Sequence, residues 1–389
     1  MTISAIALYS FFFLLLSWGS KKLPFIPLLC LLLGMIWGFF GKHFDLVTAQ
    51  MAAKIALIFF LFVDGAKLHL PKMLHFQSVR LPTIGALFTL ILGMGLLLFL
   101  FPLTWKEAFV IILPLIAVDG RMTTPAFQKG VPSRVSGMLQ IEGGMTSLLA
   151  FFLLSLAYLE HPFHFFIGIF FPLIAGGGLG YLFSIVGKTA FDFGWADRSL
   201  FRGALFLIPF GIFAFCDLFH ANGFIGVIAA GITFGHTARP LCDSLFDLAR
   251  RQGSYLIYLL LIFFGLFSLP ILSTNFTFTL VIFSFLFLFV VRFLSILISF
   301  QKSSFQWKTV GYFTFFNPKG LIPIATTLLF TEFFSFPHES QILSIVFFTT
   351  FFSLFIHPLF AHPVSSLYSH AISPFKDSIE HLPTIAFPK

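Results

Sequence analysis

The 389-residue chain is 58% hydrophobic and only 10% charged, with a mean hydropathy of +0.99. Globular domains run at roughly 45–50% apolar and about 25% charged residues, so this composition excludes a soluble enzyme or a soluble nucleic-acid-binding protein and requires a bilayer. The formal charge of +8 has to be sorted by loop before it bears on partners, and topology absorbs it without a nucleic acid.

Apolar stretches of roughly 20 residues, long enough to span a hydrocarbon core as helices, recur throughout. Spans are expected near 3–18, 24–40, 52–68, 82–101, 107–128, 136–158, 163–187, 200–219, 222–236, 253–270, 276–300, 308–331 and 341–360. This describes an all-α polytopic membrane protein of about thirteen helices. The opening MTISAIALYSFFFLLLSWGSKK carries its lysines after the apolar stretch and has no small-residue cleavage site, so it is expected to stay as the first span. Of the 23 Lys and Arg residues, fifteen fall in alternate loops, beginning with Lys21 and Lys22, against three, Lys42, Lys54 and Lys106, on the opposite side. By the positive-inside rule the basic loops are cytoplasmic in a bacterial inner membrane, with the N-terminus out and the C-terminus in. Lys376 and Lys389 lie in the C-terminal tail, and Arg121, Arg292 and Lys319 remain, all within spans.

The 62 phenylalanines read as lipid-facing and core filler. Gly34-x-x-x-Gly38 and the run Gly176 to Gly178 read as close helix packing, and Gly187-Lys188-Thr189 lacks the earlier glycine of a phosphate-binding loop. Cys30, Cys216 and Cys242 form no spaced pair, so neither a disulfide nor a metal site is expected. No nucleophile elbow or zinc-binding helix motif supports an intramembrane enzyme, and no cofactor is implied.

Features recur at an offset of about 200 residues, the mark of transporters built from repeated units. Gly34 and Gly38 correspond to Gly231 and Gly235, Gly65 to Gly265, and Asp119 in LPLIAVDGRMTTP to Lys319 in FTFFNPKGLIPIA. Six spans per unit with one linking span make the repeats inverted. The expected organisation is a first repeat over 1–158, a linking helix and cytoplasmic loop over 159–199, a second repeat over 200–361 and a short tail over 362–389. Pro114, Gly120 and Pro125 interrupt the fifth span, and Pro318, Gly320 and Pro323 the twelfth. Proline removes a backbone donor and glycine tolerates irregular dihedrals, so both spans should unwind near their middles. Broken backbone at that depth lines a cavity or is buried in protein, and in such folds it forms the transport site.

An ionisable group at the bilayer centre costs about 2.5–3.5 kcal/mol on insertion scales, so each is taken singly. Asp119 is the carboxylate that can hold either a cation or a proton, or else a permanent partner of Arg121 or Lys319. Lys319 can offset the negative ends of the broken helices or serve purely to stabilise them. Glu142, on the neighbouring sixth span, is a second carboxylate of the site or the anchor of Arg121 or Arg292. Asp64 sits near a helix end, where a terminal or funnel role is cheap, and Asp217 is placed similarly. Thr123, Thr124, Thr146 and Ser147 can offer oxygens to a dehydrated cation or bond the preceding helical turn. Asn317 can cap the second half of the twelfth span, and His357 reads as a packed or interfacial histidine.

These segments, in order, resemble the monovalent cation:proton antiporter superfamily, on the branch of bacterial sodium/proton and potassium/proton exchangers. LIFFLFVDGAKLHL is similar to its LFxxGLEL segment, AVDGRMTTPAFQKGVPSRVSGMLQIEGG to the stretch from its TDP motif through its glutamate-glycine pair, FFNPKGLIPIA to its basic GxRG-like position, and IVFFTTFFSLFIHPLF to its final span. The resemblance implies monovalent cations and protons as substrates, crossed discontinuous helices, and a homodimer whose core moves against a scaffold to alternate access. It assigns Asp119 to the TDP aspartate, Lys319 to the basic position, and Glu142 to the glutamate before the family's Asn-Asp pair. At that pair this chain has Leu148 and Leu149, and Gly120 replaces the TDP proline beside the extra charge of Arg121. Glu142 or Asp119 then substitutes for the missing aspartate, or the solute differs and is anionic, or transport is lost and the chain is a membrane sensor or scaffold.

Overall fold

With no water to satisfy backbone groups, a chain this apolar has to bond them internally. The computed structural model describes residues 26–40, 46–68, 79–119, 130–157, 162–195, 198–251, 253–301, 303–333, 339–375 and 378–381, and these are helical with no strand among them. The expected first span, together with Arg121, Thr123 and Thr124, lies outside the described residues. In chain order the helices are α1 (Ile26–Phe39), α2 (Leu46–Lys67), a π-helical turn (Leu81–Gly85) leading into α3 (Ala86–Leu100), α4 (Trp105–Ile116), α5 (Ser133–Ala157), α6 (Pro162–Asp192), α7 (Arg198–Leu218), α8 (Gly223–Thr237), α9 (Arg239–Arg251) and α10 (Gly253–Asn275). They continue with α11 (Phe278–Phe285), joined by a π-helical segment (Leu286–Val291) to α12 (Arg292–Ser299), then α13 (Trp307–Phe315), α14 (Leu321–Phe333), α15 (Glu339–Ile372) and a 3-10 turn (Ile379–His381). Among the described residues, seven stretches are long and apolar enough to cross a membrane, and α1 and α8 are shorter apolar helices.

Two differences from expectation have physical causes. The segment between the ninth and tenth spans, expected as a loop, forms α9. Leu241, Cys242, Leu245 and Leu248 bury one side of it, while Arg239, Asp243, Asp247, Arg250 and Arg251 occupy the rest. That spacing makes an amphipathic helix too charged to be read as a span. The last helix runs on to Ile372, past the boundary placed at 361, because Ala361, Tyr368 and Ile372 are buried against α5, α12 and α13.

Two close crossings, α1 on α10 and α2 on α8, organise the first core. Gly34 and Gly38 lie against the backbone of Ile262 and Leu266, and Gly265 against Leu31. Gly231 and Gly235 lie against Phe62 and Ala66, and Gly65 against Ile228. The partners in one crossing are the offset counterparts of those in the other, so each helix of one set meets a helix of the other set by the same contact. A Cβ at any of these glycines would strike a carbonyl. Gly176 and Gly180 bring α6 onto Gly226 and Ala230 of α8 in the same way, and the Thr233 hydroxyl donates to the Gly177 carbonyl at 3.0 Å. Phenylalanines fill the remaining space, as where Phe62 and Phe234 meet with ring centroids 5.5 Å apart. Replacing Gly34 with leucine should destabilise the fold by about 1–3 kcal/mol or more, whereas Gly95→Ala, which meets nothing within 4 Å, should leave the melting temperature in detergent within a degree or two.

The 3-10 turn returns the chain to the helices. Glu380 is fully buried, and its carboxylate accepts from the Gln306 N–H at 2.7 Å and the Thr309 hydroxyl at 2.8 Å, capping α13. The Thr309 oxygen lies 2.9 Å from the Tyr368 hydroxyl of α15, and Arg134 of α5 donates to the Ile379 carbonyl at 3.4 Å. Burial pushes the Glu380 carboxyl up, but hydrogen bonds led by the Gln306 N–H outweigh it and hold the group below its ordinary 4.5. A depressed carboxyl stabilises the fold fully above its unfolded value and loses that contribution as pH falls through the folded one. Glu380→Gln should therefore melt lower than wild type above about pH 5, and the two melting curves should converge at more acid pH.

Candidate functional site

The site begins with two helices that stop early. Pro114 inside α4 cannot bond the preceding turn, α4 ends at Ile116, and Ala117 leaves the helix with φ −57° and ψ 133°. The N-terminus of α4 is fixed by a capping box, in which the Glu107 carboxylate accepts from the Thr104 N–H at 2.8 Å. The second break runs from Phe316 to Gly320, between α13 and α14. The breaks cross backbone to backbone, the Asp119 N–H donating to the Pro318 carbonyl at 2.9 Å.

Each exposed backbone group then finds a partner. The Thr146 hydroxyl of α5 accepts from the Val118 N–H at 3.1 Å while donating to the Glu142 carbonyl at 2.7 Å. The Ser147 hydroxyl donates to the Gly143 carbonyl at 2.8 Å and reaches the Val118 carbonyl at 3.3 Å. Lys319 is fully buried. Its ammonium donates to the Ala117 and Ile116 carbonyls at 3.2 and 3.4 Å and to the Asn317 side-chain oxygen at 2.8 Å. Those carbonyls are the unbonded C-terminal end of α4, where a cation is favoured by the helix dipole. The converse holds at the other half-helix: the Asp119 side chain lies directly against Gly320, just before α14 begins at Leu321, where an anion is favoured. A side chain on Gly320 would displace that carboxylate.

Glu142 pairs with Arg292 of α12 at 2.5 Å, both essentially buried, so of its two candidate partners it meets Arg292. The Asn317 side-chain oxygen accepts from the Lys319 ammonium, since an ammonium enclosed by protein needs hydrogen-bond partners. Asp64 pairs with Lys67 on its own helix at 2.8 Å, the helix-end role. Thr146 and Ser147 turn toward the broken backbone. Leu148 is buried in the first core and Leu149 packs on a separate apolar cluster around Leu97, Ile112, Phe283 and Phe287, so neither position presents a polar group to the crossing. One partner of the break was not anticipated: Ser353 of α15, whose hydroxyl accepts from the Lys319 N–H at 2.7 Å. Its sequence signal was Ser353 and His357 at i, i+4 spacing in an otherwise apolar span.

The family model for the sodium/hydrogen exchanger, transmembrane, matches residues 6–366. This chain belongs to the sodium/hydrogen exchanger family. Two solved structures of the sodium proton antiporter MjNhaP1 from Methanocaldococcus jannaschii share the exchanger's fold. The structure at pH 8 superposes with a TM-score of 0.72 at 20% identity, covering 92% of this chain and 95% of that one. The electron-microscopy structure gives 0.72 at 18% identity with full coverage of both. No curated protein sequence matches this chain.

Within the exchanger, breaking the Glu142–Arg292 pair by one substitution leaves the other charge buried without its counterion, a loss of about 3–5 kcal/mol. Arg292→Leu and Glu142→Leu should each sharply lower the melting temperature, and the double variant should recover most of the loss in a double-mutant cycle.

Proposed function

We propose that this exchanger moves a monovalent cation, Na+ or K+, against protons by alternating access, with Asp119 holding the cation and the proton in turn. The observation that carries this reading is the placement of Asp119 and Lys319 on the two crossed breaks, each at the half-helix end that favours its charge. Glu142 is matched by Arg292 on a neighbouring helix, whereas Asp119 lies on the broken backbone itself, where a shift of either half-helix changes its surroundings. A proton neutralises the carboxylate, a cation replaces the proton, and the two cannot share its oxygens. Lys319 and Glu142 act as partners: the first supplies positive charge at the crossing, and the second anchors Arg292 beneath it.

The exchanged contacts of α1 with α10 and α2 with α8 support two inverted repeats, over 1–158 and 200–361, joined through 159–199. Opposed repeats supply the rocking on which alternating access depends. The sodium proton antiporter likeness favours Na+ among the cations, a homodimer is the assembly we propose, and the distribution of Lys and Arg supports an inner-membrane protein with its N-terminus outside. The apolar packing of Leu148 and Leu149 favours a second reading, in which the solute is anionic or transport has been lost.

Proteoliposomes with an imposed pH gradient separate the two. Na+, K+ or Li+ should dissipate the gradient, and Asp119→Asn should reduce that rate at least about 100-fold, as expected when a group that binds the transported ion is lost. Dissipation by none of these cations, or an active Asp119→Asn variant, would sink cation exchange at this residue, and gradient-driven uptake of an organic anion would establish the second reading.

A further inference from the structure

We infer that Ser353 and His357, one helical turn apart on α15, form a positioning clamp that sets the geometry of the Phe316 to Gly320 break and, through it, the affinity of the exchange site.

The Lys319 N–H donates to the Ser353 hydroxyl at 2.7 Å. That hydroxyl lies 3.0 Å from Nδ1 of His357, which is also 2.8 Å from the Ser353 carbonyl. The Phe315 and His357 rings meet with centroids 5.2 Å apart. Ser353 is fully buried and His357 is 4% exposed. Phe315 is the last residue of α13, and Lys319 stands just before α14, so the clamp packs on the Phe315 ring at one end of the break and bonds an orphaned N–H at the other. Hydroxyl and imidazole each donate and accept. Nδ1, 2.8 Å from the Ser353 carbonyl, carries the ring proton and shares it between that carbonyl and the Ser353 hydroxyl, while the same hydroxyl accepts from the Lys319 N–H.

The clamp holds the main chain from which the Lys319 side chain reaches Asn317, Ile116 and Ala117, and on which Gly320 abuts Asp119. A displacement of the break therefore moves the ammonium and the carboxylate seat together. Neither clamp residue has to touch the ion.

The transport readout rests on the exchange reading; an exchange-independent readout does not. In purified full-length protein, Ser353→Ala and His357→Leu should each raise amide hydrogen exchange over the peptide containing 316–320 by about fivefold, the worth of one buried hydrogen bond. In proteoliposomes they should raise the apparent KM for Na+ by a similar factor with the maximal rate within about twofold. His357→Asn, which keeps a donor at the reach of Nδ1, should restore both toward wild type, and the double Ser353→Ala/His357→Leu variant should be no worse than either single. Unchanged exchange in folded variants, a fall in maximal rate at constant KM, or an asparagine variant no better than leucine would overturn the clamp. If wild type moves neither Na+ nor K+, the exchange reading fails while hydrogen exchange still decides the clamp. If His357→Leu does not fold, Ser353→Ala and His357→Asn decide it.

Discussion

A helix interrupted inside an apolar protein releases N–H and C=O groups that no solvent can take up, and most of the polar residues near the crossing are arranged around that debt. The two breaks bond each other through Asp119 and Pro318. Thr146 takes the Val118 N–H and the Lys319 ammonium takes the end of α4. Ser353 takes the Lys319 N–H. Each unsatisfied group would cost several kcal/mol in hydrocarbon, which explains why hydroxyls that might have bound an ion are turned to the main chain. The breaks persist because two other helices, α5 and α15, have been fitted to them.

Charge follows the same geometry. Lys319 at the negative end of α4 and Asp119 at the positive end of the α14 half-helix place opposite charges where the backbone dipoles already favour them. The ion pair of Glu142 and Arg292 links α5, which supplies Thr146 and Ser147, to α12. Elsewhere the fold relies on shape: glycine seams between α1 and α10 and between α2 and α8 allow backbone approach that substitutes for the missing hydrophobic drive inside a bilayer.

Much of this was legible in residues with a strong backbone consequence. Pro114, Pro318 and Gly320 marked the breaks, and Gly34, Gly65, Gly231 and Gly265 marked the crossings and their offset, because proline and glycine act on the chain that bears them. What depended on orientation was not legible. Glu142 had two candidate cations in the sequence, and the rotation of α12 that brings Arg292 onto it is not written there. Sequence also gives no hint that an ammonium two residues away curls back onto Asn317. The helix α9 was hidden by its charges, although Leu241, Leu245 and Leu248 kept helical spacing. Thr146 and Ser147 had two readings that differ by where a hydroxyl points.

The pairing of Glu142 with Arg292 has an electrical consequence. Moving one elementary charge through the membrane potential is worth about 2.3 kcal/mol per 100 mV, but two opposite charges held 2.5 Å apart travel as a neutral body. However far α5 and α12 shift, the voltage does almost no work on that pair, so in the proposed exchange any sensitivity to membrane potential falls to the groups on the broken backbone and to the ion proposed for Asp119.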